Sequence, residues 1–99
     1  MKRAITCAAG AALFAMTLVG PAFADDAYSY CHYYASTAVR AGHIARHVGA
    51  CQHFVYDFPA RWTLDYDQHF NWCLSMFGSG RNASEHQVRN AQLMECGAL

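Results

Sequence analysis

The chain carries six histidines and five cysteines in 99 residues. These are side chains that bind metals, move protons or cross-link. Cys31, Cys51, Cys73 and Cys96 stand 20, 22 and 23 residues apart. A four-thiolate zinc site uses close cysteine pairs separated by two to four residues, and none occurs here. Haem attachment needs C-x-x-C-H, and Tyr28 stands where the first cysteine before Cys31-His32 would be. Two disulfides fit the spacing better. Asp65 and His69 are four residues apart, so on a helix they share a face. A carboxylate there can orient an imidazole and raise its pKa, which allows a catalytic dyad or a metal pair. No nucleophile accompanies them, since Ser75 lies in no motif and the cysteines are expected to be oxidised. The favoured reading is a capping carboxylate and a histidine whose hydrogen bonds fix the packing of Trp62 and Trp72. His43 and His47 repeat the four-residue spacing, an arrangement suited to Zn or Cu with a third ligand from His53, His32 or a carboxylate. The pair lacks the Glu of HExxH proteases, and Arg40 shares its face. No cofactor is expected, with Zn or Cu as the alternative.

Lys2 and Arg3 precede the uncharged apolar run Ala4 to Val19, which Gly20-Pro21 breaks before Ala22-Phe23-Ala24. This is the pattern of a secretory signal peptide, residues 1–24, cut after Ala24. Its 16 apolar residues are short of the roughly 20 that span a bilayer core. Cys7 leaves with the leader, and no membrane span is expected after cleavage. The remaining residues, 25–99, hold five arginines, no lysine, seven acids and an even four cysteines. The resulting charge of −2 argues against nucleic acid and anionic membranes, which reward clustered cations. Protonating all six histidines would carry it to +4, so a pH-responsive stress protein is a weaker alternative. An exported chain of this size buries too little surface for a robust core, and disulfides make up the difference in an oxidising compartment.

The elements that must position these residues read as helices. Between about 27 and 48 there is no proline, and Cys31, Ala35, Ala38, Gly42, Ala45 and Gly49 form a stripe of small residues that lets a partner approach closely. Residues 49–63 read as an aromatic-rich connection pinned by Cys51, with at most a short helical turn. A second helix starts near Thr63 or Asp65, with Phe70, Cys73, Leu74 and Phe77 as its core stripe. A third opens on Ser84-Glu85-His86-Gln87, a capping box, runs through Val88, Ala91 and Met94, and ends at Gly97. The expectation is an all-α, three-helix up-down-up domain. Cys31 and Cys51 would lie near opposite ends of a helix about 25–30 Å long, while a disulfide needs Cα atoms about 5–6 Å apart. In the up-down-up arrangement Cys31 and the later part of the second helix share one end, and Cys51 and the end of the third share the other, so the pairing predicted is Cys31–Cys73 with Cys51–Cys96. Tyr30, Tyr33 and Tyr34 cannot all face inward on one helix, which leaves aromatic surface for protein contacts.

Cys31-x-x-Tyr34-Ala35-x-x-Ala38-Val39, Arg61-Trp62-x-x-Asp65-x-x-x-His69-x-x-Trp72-Cys73 and Arg89-x-x-x-Leu93-x-x-Cys96 together cover most of residues 25–99. They resemble a group of small exported bacterial proteins, and modules of larger ones, with a YAxxAV, RWxxDxxxHxxWC and terminal-Cys pattern. The resemblance implies an exported, disulfide-bonded domain and supplies no substrate. The chain departs from the pattern after Cys51, where Gln52 replaces the usual glycine and the link to Arg61-Trp62 is aromatic. The sequence thus predicts a periplasmic or secreted structural or protein-binding module, not an enzyme. Its expected partner is another envelope or secreted protein, or itself.

Overall fold

In the computed structural model of the protein, the backbone is described from residue 2 and the side chains from residue 24, both to residue 99. The predicted leader, with Cys7, thus falls outside the described side chains up to Ala24. Every regular element among the described residues is a helix, and none is a strand. Helix α1 is Lys2–His47. Val48 is extended and stops it, and a single 3-10 turn, Gly49–Cys51, follows. Helix α2 is Gln52–Asp57 and α3 is Pro59–Trp62. Helix α4 is Tyr66–Met76 and α5 is Arg81–Glu95.

The expected count of three helices does not hold, because the connection between Cys51 and Thr63 folds into α2 and α3. Phe58, at φ −131° and ψ 66°, breaks the chain between them. Pro59 then opens α3, where its missing N–H and fixed φ suit a first helical turn. The turn buries Phe54 on α2 and Trp62 on α3 under one sheltered face. Fully burying the Trp62 side chain contributes roughly 4–6 kcal/mol of gross transfer free energy, at about 25 cal/mol per Å2.

Both disulfides form, Cys31–Cys73 and Cys51–Cys96, with Cα separations of 5.5 and 5.2 Å. Each anchors a core cluster. Ala41, Ala45, Phe54, Trp62 and Leu93 gather at Cys51, while Tyr34 packs with Phe70, Trp72 and Phe77 at the Cys31–Cys73 bridge. Helix α4 runs antiparallel to α1: Tyr30 meets Phe77 and, further along α1, Tyr34 meets His69, both edge to face. The small stripe is buried from Cys31 through Ala35, Ala38, Gly42 and Ala45, and Gly49 falls off it because α1 has ended. Gly42 marks the tightest approach. A Cβ there would sit 3.0 Å from the Trp62 carbonyl oxygen and 2.9 Å from Leu64 Cδ2. Arg46 Nη1 clamps the crossing, donating to the carbonyls of Gly42 (3.0 Å) and Trp62 (2.8 Å).

Helix ends differ in part from expectation. Asp65 is the N-cap of α4, accepting from the Gln68 N–H at 3.2 Å. The Ser84–Gln87 capping box does not form: α5 starts three residues earlier behind Gly80, whose φ of 85° reverses the chain. Gly97, at φ 85°, closes α5 as expected, with the Ala98 N–H bonded to the Leu93 carbonyl and the Gly97 N–H to that of Met94. The inward face of α5 also differs. Asn82, Arg89 and Leu93 are buried, whereas Met94 is 65% exposed and Ala91 faces solvent. Cys96 sets this register, since stepping back three and seven residues from a bridged cysteine reaches Leu93 and Arg89. On α4, Leu74 is likewise exposed, and Phe70, Cys73 and Phe77 alone carry the stripe inward.

Candidate functional site

A cavity of about 370 Å3 opens between α1, α3, α4 and α5, lined by Tyr34, Arg61, His69, Trp72, Glu85 and Arg89, with Ala60 and Gln68 at exposed positions. Its volume lies at the small end of the range for small-molecule sites. Each lining side chain is held by a different local feature. Tyr34 lies one turn beyond Cys31 on α1, so the Cys31–Cys73 bridge fixes its position. His69 and Trp72 share a face of α4 with Cys73. Glu85 and Arg89 lie four apart on α5, turned inward by Cys96.

Asp65 and His69 do not form a dyad. The Asp65 carboxylate caps α4, and His69 Nε2–H donates to the Thr63 carbonyl at 2.7 Å. Among the described residues, His69 Nδ1 has no hydrogen-bond partner. Burial pushes the His69 pKa below its usual value and the nearby Arg89 charge adds to this, while the Thr63 carbonyl, Asp65 and Glu85 act the other way. The ring is therefore neutral at pH 7. Tyr34 meets it edge-on at 6.4 Å between centroids and stands 5.8 Å from the Trp72 ring.

Arg61 and Glu85 pair with both carboxylate oxygens engaged, Oε2 on Nε and Oε1 on Nη2. The Arg61 guanidinium also lies over the Phe58 ring at 4.8 Å. Arg89 is only 2% exposed. Its Nε–H donates to the Arg61 carbonyl (3.1 Å) and Nη2–H to the Tyr34 hydroxyl (2.7 Å), and the guanidinium lies 5.0 Å from the Tyr34 ring centre. Burial raises the Tyr34 pKa despite Arg89, so the phenol stays neutral and is no counter-ion. Arg89 Nη1 is buried without a partner.

The expected motif residues Arg61, His69 and Trp72 thus meet in one cavity. Trp62 lies in the core beneath α3, and Asp65 acts at the helix end. Tyr34, Glu85 and Arg89 complete the site and were not singled out as site residues. For two of them a signal existed: Tyr34 is three residues after Cys31 and Arg89 is seven before Cys96, each on the inward face of its helix. Nothing in the sequence marks Glu85.

His43 and His47 are exposed on α1, and His47 Nδ1–H donates to the His43 carbonyl at 2.7 Å. The third ligands considered lie elsewhere: His53 bonds to the Ala50 carbonyl and His32 to the Tyr66 hydroxyl. Among the described residues, no three His, Cys, Asp or Glu side chains come together to hold a metal ion.

Fold and site define a class: a small all-helical domain closed by two disulfides around an aromatic-walled cavity that also holds charged side chains. Its disulfides suit an oxidising, extracellular-type compartment. Among the described residues no helix is long and apolar enough to cross a membrane. No family model, curated protein or solved structure matches the chain.

Proposed function

We propose that the chain is an exported binding module of the bacterial envelope, cut after Ala24, that works without catalysis and engages another envelope or secreted protein. In this reading α1, α4 and α5 form an up-down-up frame, and α2 and α3 are the elaborated connection between its first two members. The observation that carries the reading is the cavity, a preformed recess whose walls are tied to two disulfides and two helix faces. Rigid walls lower the ordering cost of binding. The groups around it also favour recognition over chemistry. His69 is held to a backbone carbonyl, Glu85 is engaged by Arg61, and the lining side chains include no Ser, Thr or Cys. Trp, Tyr and Arg are the residue types that dominate protein-binding hot spots.

Ala60→Trp tests this, because Ala60 is exposed and lines the cavity, so an indole there plugs it without removing a core contact. The full chain, expressed for export and purified in oxidised form, should capture a discrete partner from envelope extracts. Ala60→Trp should lose that partner, and the distant surface variant His43→Ala should keep it. Identical captured sets for wild type and Ala60→Trp would refute the reading.

A further inference from the structure

We propose that this cavity binds a carboxylate group carried on a flat apolar body, with the Arg89 guanidinium as its counter-charge. The inference rests on the binding-module reading and names the chemical group that is recognised.

The charge inventory carries the argument. Two guanidiniums, Arg61 and Arg89, and one carboxylate, Glu85, line the cavity. His69 and Tyr34 are neutral there, so the cavity has a net charge of +1. Glu85 gives both its oxygens to Arg61. Arg89 is left with two neutral acceptors, a backbone carbonyl and a phenol. A lysine in such a place could shed its proton, but a guanidinium keeps its own. A buried charge without a counter-ion is costly, and an anion entering the cavity removes that cost.

Three buried polar side-chain atoms have no partner among the described residues: Trp62 Nε1, Gln92 Oε1 and Arg89 Nη1. Of these three residues, Arg89 alone lines the cavity. Its free N–H groups match the planar two-oxygen geometry of a carboxylate. One compensating negative charge is required, which favours a monoanion over a phosphate dianion. The Trp72 and Tyr34 rings offer walls for an apolar, preferably aromatic, body. His69 Nδ1 is a hydrogen-bond acceptor with no partner among the described residues, suited to a donor on that body. A volume of about 370 Å3 admits a small acid or the last residue of a chain, and one carboxylate chemistry describes both.

Calorimetric titration of the full oxidised protein separates these sources, with phenylacetate as the small acid and N-acetyl-Gly-Phe as the chain end. Each has a neutral control, phenylacetamide and N-acetyl-Gly-Phe-amide. At least one acid should bind more tightly than its amide by about ten- to hundredfold, the effect of one charge-assisted contact. Ala60→Trp should abolish that binding, as should Arg89→Met, which keeps an unbranched apolar stem and removes the charge. If Arg89→Met fails to fold, Ala60→Trp and the amide controls decide alone. The source is read from which acid shows the preference. Equal binding of acids and amides, no binding of either acid at millimolar concentration, or acid binding that survives Ala60→Trp would overturn the inference. The two readings fail separately. A partner lost on plugging the cavity, with no acid preference, leaves the module and removes the carboxylate site. Acid binding without a captured protein does the reverse.

Discussion

Opening either disulfide should cost this domain a large part of its stability. The Cys31–Cys73 bridge closes a sequence separation of 42 residues and Cys51–Cys96 one of 45. In the chain-entropy treatment each loop raises the stability by about 4 kcal/mol, and the difference between them is under about 0.1 kcal/mol. Residues 25–99, the unit left by the proposed cleavage, would have about 4–11 kcal/mol in all. The loops overlap from residue 51 to residue 73, so their contributions are not expected to add fully. The test is equilibrium urea unfolding of Cys31→Ala/Cys73→Ala and of Cys51→Ala/Cys96→Ala, each without free thiols. Both should lose several kcal/mol, and the quadruple variant should be unfolded in water. Since loop entropy barely distinguishes them, any gap reports packing, and the Cys51–Cys96 variant should be the weaker because Trp62, Phe54 and Leu93 pack at that end. A loss below about 1 kcal/mol for both would refute the loop-entropy account.

Gly42→Val should lower the melting temperature: the gain in helix propensity is below about 1 kcal/mol, against about 1–3 kcal/mol for overpacking against the Trp62 carbonyl, and an unchanged or higher melting temperature would contradict the close crossing. Asp65→Ala should cost about 1 kcal/mol by removing the α4 cap, with Asp65→Asn retaining most of it in the same thermal scan. Stability should also fall on mild acidification. His69 and His86 have pKa values held down by burial, with Arg89 adding to it, so below about pH 6.5 the unfolded chain takes up protons that the folded chain resists. Stability is complete above that pH and declines until the lowered folded pKa values are passed. Urea unfolding at a series of pH values should show this slope, His69→Gln should flatten it, and a flat wild-type profile would contradict neutral, buried rings.

Much of the frame was legible in the residues. The stripe from Cys31 to Ala45 predicted the buried face of α1, because period 3.6 is a local property of the chain. The pairing of cysteines followed from helix geometry, since the helix from Cys31 to His47 keeps Cys31 from Cys51, and the expected up-down-up order sets Cys73 beside Cys31 and Cys96 beside Cys51. Less was legible where several segments compete for one position. Phe54-Val55-Tyr56 suits strand or helix equally, and only the shelter beneath Trp62 and the Cys51 bridge settles α2 as helical. Val88, Ala91 and Met94 formed a plausible apolar stripe on α5, yet two of the three positions are solvent-exposed.

By itself the sequence determined an all-helical domain with two cross-links, because helical periodicity, glycine stops and cysteine spacing act over short range or through simple geometry. Tertiary structure decided the chemistry of the site. Asp65 and His69 share a helix face, but Asp65 meets a free amide at its own helix end first, and His69 finds the Thr63 carbonyl brought to it by α3. Arg89 is buried because the Cys51–Cys96 bridge rotates α5 until the arginine faces Tyr34 and the Arg61 carbonyl. The partners a polar side chain meets come from other segments, and only packing brings them within reach.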